Sequence, residues 1–292
     1  MLTYPHIDPI AISIGPIFGL GPLRVHWYGI MYLIGFVGGW WVARARARRP
    51  GSTWSMLDVD DLIFYAAMGV ILGGRIGWIL FYGFETVLAE PLSLFMVWRG
   101  GMSFHGGLIG VALAMLLFAR RRGRVAVDVF DFMSPLPAVG LGAGRLGNFI
   151  NGELWGKSTD VPWGFLVHGE VLHASQLYEA ALEGLLLFLI VWTFTSRPRP
   201  RWAPSGLFLV CYGTFRFLVE FVRVPDANLG YLALGWVTMG QILSLPMVLI
   251  GLAMLAYAYR ARQASGNFVA PGGAAAADPD RSGSRRTKRP KA

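Results

Sequence analysis

The sequence predicts an all-α integral membrane protein of about seven transmembrane helices, with the N-terminus outside and the C-terminus cytoplasmic. Three observations predict it. First, 54% of the 292 residues are hydrophobic and only 15% are charged, with a mean hydropathy of +0.50; a soluble domain carries about 25% charged residues. Second, the apolar residues fall into runs long enough to cross a hydrocarbon core, which takes about 20 residues of helix. Third, cations interrupt those runs in clusters.

The clusters are RARARR at 44–49, RRRGR at 120–124, RPRPR at 197–201 and the tail from Arg260 onward; they hold 19 of the 26 cations, so their placement decides the topology. On a soluble domain the net charge of +9 would suggest nucleic acid. Here it reads as a membrane signal, with no nucleic-acid partner, because cationic loops stay on the cytoplasmic side. Taken in order, the expected spans are 19–43, 60–84, 94–119, 126–149, 174–195, 203–223 and 235–259. One span precedes the first cluster and two separate each cluster from the next. An odd total puts the termini on opposite sides.

The first residues, MLTYPHIDPI, lack a basic n-region, so no cleaved signal peptide is expected. The lone Cys211 cannot form an internal disulfide and reads as packing. The chain divides into a polytopic domain, 1–262, and a tail, 263–292. The tail is rich in Gly, Ala, Pro and Arg and is expected to be a disordered, basic cytoplasmic extension.

Seven cations remain: Arg24, Arg75, Arg99, Arg145, Lys157, Arg216 and Arg223. Counting about 1.5 Å per helical residue from the nearest cluster puts Arg216, His105, Arg75 and Tyr28 roughly 22 Å up. Glu179, Glu220 and Arg145 fall at roughly 27–32 Å on the same count. These groups form a polar layer in the outer half of the membrane. Mutual neutralisation explains part of it. RFLVEFVR spaces Arg216, Glu220 and Arg223 for an ion-pair ladder along one helix face. Glu179 or Glu183 is in position to neutralise Arg75, and Arg24 and Arg99 are placed to snorkel outward.

Neutralisation does not require the company that Arg145 keeps. In GRLGNFINGELWG (144–156), four glycines surround Arg145, Asn148, Asn151 and Glu153; in RGGMSFHGGLIG (99–110), glycines flank His105. Small residues let helices pack closely in lipid, and glycine-rich backbone also lets donors approach an anion. Two arginines at membrane depth suit a phospholipid phosphate, because guanidinium makes forked, charge-assisted hydrogen bonds. Asn148, Asn151 and Glu153 are placed to hold the arginine or to bind headgroup hydroxyls. His105 is the one histidine well inside a span and can take a proton near neutral pH. Histidines are scattered and HExxH is absent, so no metal and no cofactor is expected. From the residues alone, an enzyme, a lipid flippase or transporter, and a binding module all remain open.

GRLGNFINGELWG resembles the signature of the phosphatidylglycerol–prolipoprotein diacylglyceryl transferase family. HGGLIG (105–110), HASQLYEA (173–180) and YGTFRFLVEFVRVPD (212–226) resemble its other motifs in the expected order. The resemblance covers roughly residues 20–260. It departs at Ala174, where the family pattern has proline, which bears on the backbone entering the fifth span. The resemblance implies a multi-pass enzyme of the bacterial cytoplasmic (inner) membrane. Its implied substrates are phosphatidylglycerol and prolipoprotein signal peptides carrying a lipobox cysteine. The diacylglyceryl group would pass to that cysteine's thiol, forming a thioether and releasing glycerol 1-phosphate. His105 is then the candidate base, with Arg145, Arg216 and Tyr28 also catalytic. Substrate binding falls to Arg145, Asn148, Asn151, Glu153, Gly156, Glu179, Tyr212 and Glu220.

Overall fold

The computed structural model describes residues 1–15, 22–96, 100–225 and 230–269. Ten α-helices dominate them: α1 (Trp27–Ala47), α2 (Met56–Trp78), α3 (Phe84–Ala89), α4 (Phe104–Arg121), α5 (Ala126–Met133), α6 (Leu136–Ile150), α7 (Ser175–Glu179), α8 (Leu187–Phe194), α9 (Ala203–Val219) and α10 (Met239–Ala261). A π-helical turn, Ile79–Gly83, joins α2 to α3; another, Ala180–Leu186, joins α7 to α8. Four continuous helical stretches are long and apolar enough to cross a membrane: Met56–Ala89, Phe104–Arg121, Ser175–Phe194 and Met239–Ala261. α9 is apolar but shorter.

Helix starts follow local chemistry. Ser55 and Asp58 form a reciprocal capping box on α2, and Thr238 and Gln241 do the same on α10. Ser103 accepts from Gly106 N at the start of α4. This start lies ten residues later than the expected 94, because Gly100 and Gly101 both take left-handed backbone (φ +83° and +77°) that an α-helix cannot continue through. The expected span 126–149 is two helices, α5 and α6, separated at Ser134–Pro135. The first helix starts at Trp27 rather than 19, after a strand, and residues 16–21 lie outside the described residues.

The all-α expectation also needs correction. β1 (Leu2–Thr3), β4 (Phe165–Val167) and β5 (Glu170–Leu172) form a small sheet in the order β1-β4-β5. β2 (Ile10–Ile14) pairs antiparallel with β3 (Leu23–His26). These segments are too short to span a membrane, and strand pairing satisfies backbone groups that no helix covers.

Glycine brings the helices together. Gly69, Gly73 and Gly77 of α2 meet Gly106 and Gly110 of α4; a Cβ on Gly106 would lie 2.4 Å from Gly73 O. Gly106, next to His105, and Gly110, further along the same motif, therefore serve close helix packing. Gly35 of α1 lies against Gly140 of α6, and Gly142 of α6 against Gly184. At the end carrying the basic clusters, Trp54 stacks on Phe132 at 3.9 Å between centroids, within a core that includes Leu62, Met115 and Phe118. Large apolar side chains such as Leu33, Phe64, Leu80, Leu113, Leu185 and Leu249 face outward, as expected of surface that meets lipid tails.

The basic clusters are ion-paired where they join helices. Arg44 meets Asp60, Arg122 meets Asp58 and Asp61, and Arg124 meets Asp58. Arg201 makes two bonds to Asp128, at 2.9 and 2.8 Å, which holds its guanidinium above its ordinary pKa. The tail does not leave the body at residue 263. Asn267 is buried; it accepts from Trp54 Nε1 (2.8 Å) and donates to Asp128 O (2.8 Å), while Val269 N donates to Gly51 O (2.8 Å). Within 265–269, polar groups of Asn267 and Val269 thus find partners on the body. Residues 270–292 lie outside the described residues.

Candidate active site

Away from the basic end, α6, α7, the turn after it and α9 converge on a cluster of charges. Arg145 projects from the last turns of α6, Glu179 ends α7, Glu183 sits in the π-helical turn, and Arg216 and Glu220 close α9. Glu179 is the centre. Arg145 Nε pairs with its Oε2; Arg216 Nη1 and Arg223 Nη1 reach its Oε1 at 3.3 and 2.5 Å. Its side chain is 1% exposed, so it is a buried anion shared by three cations. Glu220 takes a second set: Arg216 Nη2 at 2.5 Å, Arg223 Nε at 3.1 Å, and Thr238 Oγ1 at 2.6 Å from the start of α10. The ladder expected within RFLVEFVR is present, and Glu179 ties it to α6.

Arg75 is not part of this cluster. Glu179 and Glu183 face Arg145 and Arg216 instead. The buried Arg75 guanidinium donates to the carbonyls of Ser93, Leu94 (3.1 Å), Gly100 (2.7 Å) and Gly101 (3.0 Å), and stacks on Trp78. It organises the segment leading into α4. Arg24 is exposed on β3, while Arg99 lies outside the described residues.

The asparagines hold the signature loop. Arg145 Nη1 donates to Asn148 Oδ1 at 3.4 Å; Asn148 Nδ2 and Asn151 Nδ2 donate to Glu153 Oε1 at 2.8 and 3.3 Å. Glu153 is thus linked to Arg145 through Asn148, and the arginine's own carboxylate partner is Glu179. Among the described residues no hydrogen bond uses Arg145 Nη2, and the arginine side chain remains 23% exposed. Arg216 is 18% exposed. Two guanidiniums oriented by one carboxylate, each with open surface, are a ready anion site.

Other predicted residues have structural reasons. Gly156 N donates to His173 O, and a Cβ there would fall 2.4 Å from Val222 O; it is where the signature loop, the approach to α7 and the end of α9 cross. Tyr28, in the first turn of α1, packs over Gly147, and its hydroxyl lies 3.5 Å from that of Tyr32. Tyr212 stacks on Phe208 beside the small core of Ala138, Leu187 and Val191. His105 is exposed in the first turn of α4, edge-on to Phe104, and no hydrogen bond or ion pair joins it to the charge cluster.

Sequence reasoning missed three supports. Tyr4 is buried, and its hydroxyl donates to Phe149 O and Ile150 O (both 2.9 Å), satisfying carbonyls at the end of α6. Ser175 Oγ donates to Leu154 O (2.8 Å) and Gln176 Nε2 to Glu153 O (2.5 Å), so HASQLYEA clamps the signature loop. A buried serine–glutamine pair entering an apolar span was the available signal for these two; nothing local marks Tyr4, 145 residues away from its acceptor. Ala174 has φ −79°, inside the range proline would impose, so the departure leaves the entry to α7 intact. Beside it, burial lowers the His173 imidazole pKa, and its Nδ1 lies 3.1 Å from Tyr178 OH.

The family described as prolipoprotein diacylglyceryl transferase matches residues 16–257 of this chain. The chain is 57% identical over 270 residues to the phosphatidylglycerol–prolipoprotein diacylglyceryl transferase of Ectopseudomonas mendocina, covering 91% of this chain and 99% of that protein. It is 56% identical over 266 residues to the enzyme of the same name from Coxiella burnetii, covering 90% and 100%. The Pseudomonas aeruginosa enzyme of that name is 57% identical over 263 residues, covering 89% and 97%.

Proposed function

The chain belongs to the prolipoprotein diacylglyceryl transferase family, and on that premise we propose that it transfers the diacylglyceryl group of phosphatidylglycerol to the lipobox cysteine of prolipoproteins. The cysteine sulfur attacks the glyceryl carbon, the carbon–oxygen bond to phosphate breaks, and glycerol 1-phosphate leaves with the electron pair. The observation that carries this reading is the pair Arg145 and Arg216, aimed from two helices by Glu179 and still partly open. Charge grows on the phosphate as its bond to carbon breaks. Preoriented guanidiniums stabilise that charge more in the transition state than in the ground state.

A thiol with an ordinary pKa near 8.5 is a poor nucleophile until it loses its proton. We assign that proton to His105, whose exposed imidazole is open to a peptide arriving from the membrane. Tyr28 and Tyr212 are assigned supporting roles from where they pack, over Gly147 of α6 and against Phe208 of α9. Asn151 and Glu153 are assigned to the lipid glycerol, and Gly156 supports them by letting the signature loop cross close to His173 and Val222. In the membrane, α1, α2–α3, α4, α5–α6, α7–α8, α9 and α10 make seven crossings. The basic end is cytoplasmic, the charge cluster faces outward, and the membrane is the bacterial inner membrane.

The deciding experiment is thioether formation on a lipobox peptide by purified protein in detergent, with phosphatidylglycerol as donor. Turnover without a second compartment supports the transferase. Lipid movement across sealed vesicles with no thioether would make the protein a flippase.

A further inference from the structure

Glu183 is fully buried, and neither of its carboxylate oxygens accepts a hydrogen bond from a described residue. Its nearest cation is Arg216, with Nη1 at 3.9 Å from Oε1. Glu179 and Glu220, in contrast, each take close ion pairs from more than one arginine. The charged and titratable groups that act on Glu183 are Glu179 one turn before it, Arg145 on α6, Tyr212 and Arg216 on α9, and Arg223 just beyond α9. Its neighbour Gly184 brings this turn against α6, where a Cβ on Gly184 would fall 2.6 Å from Gly142 Cα.

The cluster sets three arginines, Arg145, Arg216 and Arg223, against three carboxyl groups, Glu179, Glu183 and Glu220, and its charges balance when Glu183 is ionised. A phosphodiester seated on Arg145 and Arg216 adds one more negative charge beside three buried carboxyl groups. An uncompensated charge there is costly. Of the three carboxylates, Glu183 is the one whose protonation breaks no hydrogen bond and leaves the close pairs of all three arginines in place. A fully buried carboxyl group with no donor among the described residues calls for a role.

We propose that Glu183 takes up one proton from the outer aqueous phase when a phospholipid phosphate is seated at Arg145 and Arg216, and gives it up when the site empties. The inference rests on the reading of this cluster as a lipid-phosphate site. One anion enters with one proton, no bond to the lipid is made, and the net charge of the cluster stays at zero. Glu183 is a positioning residue: it touches no reacting atom and keeps Arg216 free to serve the phosphate.

The test uses the full-length protein in neutral-detergent micelles, in weak buffer with a pH indicator, titrated with phosphatidylglycerol and, as the phosphate-free control, diacylglycerol. On the alkaline side, where Glu183 starts ionised, the wild type should take up about one proton per phosphatidylglycerol bound and none with diacylglycerol. By linkage, its Kd should rise on the alkaline side toward about tenfold per pH unit. Glu183→Gln, which carries the neutral form permanently, should bind phosphatidylglycerol at neutral pH within a few fold of wild type, with no proton uptake and no pH slope. Saturable binding by the wild type without proton uptake overturns the proposal and leaves the lipid site standing. Undiminished uptake in Glu183→Gln also overturns it. Absence of saturable phosphatidylglycerol binding overturns both. Because proton uptake is measured first on the wild type, the proposal can fail whether or not the variant folds.

Discussion

Arg223 Nη1 donates to Glu179 Oε1 at 2.5 Å, placing the arginine beyond α9 on the same carboxylate that orients Arg145 and Arg216. One buried side chain therefore sets the geometry of three guanidiniums from two different parts of the chain.

Glu179→Gln keeps the shape and removes the charge. Three guanidiniums then share too few anions, and loss of one partner from a buried ion pair costs about 3–5 kcal/mol. The expected outcome is a clearly lower Tm in detergent together with loss of thioether formation. A variant with wild-type Tm and turnover would show that Glu179 does not organise the site.

Arg145→Lys separates charge from shape. Lysine cannot reproduce a planar fork, so turnover should fall nearly as far as in Arg145→Gln, with kcat hit harder than binding. The carboxylate partner of Arg145 is Glu179. Exchanging Arg145 and Glu153 (Arg145→Glu with Glu153→Arg) should therefore not restore activity. Full activity in the lysine variant would remove the bidentate role.

For His105, the assignment as base predicts that His105→Asn lowers thioether formation by roughly 10²–10⁴-fold, the usual contribution of a general base. Phosphatidylglycerol binding should change little. Raising the pH should return part of the rate by supplying thiolate directly. His105 has no bond to the charge cluster, so an active variant with an unchanged pH profile would reduce it to a lipid-facing residue of α4.

The docked segment 263–269 makes two truncations informative. Ending the chain after Val269 should leave stability and activity unchanged. Ending it after Arg262 removes Asn267 and strands Trp54 Nε1 and Asp128 O, at about 1–3 kcal/mol for each buried group left unpaired. Thermal unfolding of the two truncates, side by side, reads the difference directly. Equal Tm values would mean that the segment contributes nothing.

Topology is open to reporter fusions. Fusions after Arg49, Arg124 and Arg201 should report cytoplasm, and one near Thr159 should report the outside. A basic cluster found outside would overturn the seven-crossing arrangement.

Much of this was legible in the order of residues. Membrane character follows from composition, and the Arg216–Glu220–Arg223 ladder follows from helical spacing, because both depend on neighbours close in sequence. The motif GRLGNFINGELWG pointed to Arg145 and the asparagines for the same reason. The assignment of Glu179 or Glu183 to Arg75 failed because helix heights place groups in a layer without saying which helices touch. Glycine decided that: α6 meets the turn after α7 at Gly142 and Gly184, bringing both glutamates to Arg145 and Arg216. Meanwhile Arg75 was left to backbone carbonyls.

By itself, the sequence determined a basic, apolar, helical chain with a polar layer and a family-specific set of motifs. Only the tertiary structure decided that Glu179 is the shared anion, that Tyr4 and Gln176 hold the signature loop, that Asn267 is buried, and that Glu183 has no donor among the described residues. Apolar periodicity and local spacing report which residues leave water. The partner of a buried charge is chosen by which backbones can approach within a glycine's width, and that contact joins residues tens to hundreds of positions apart.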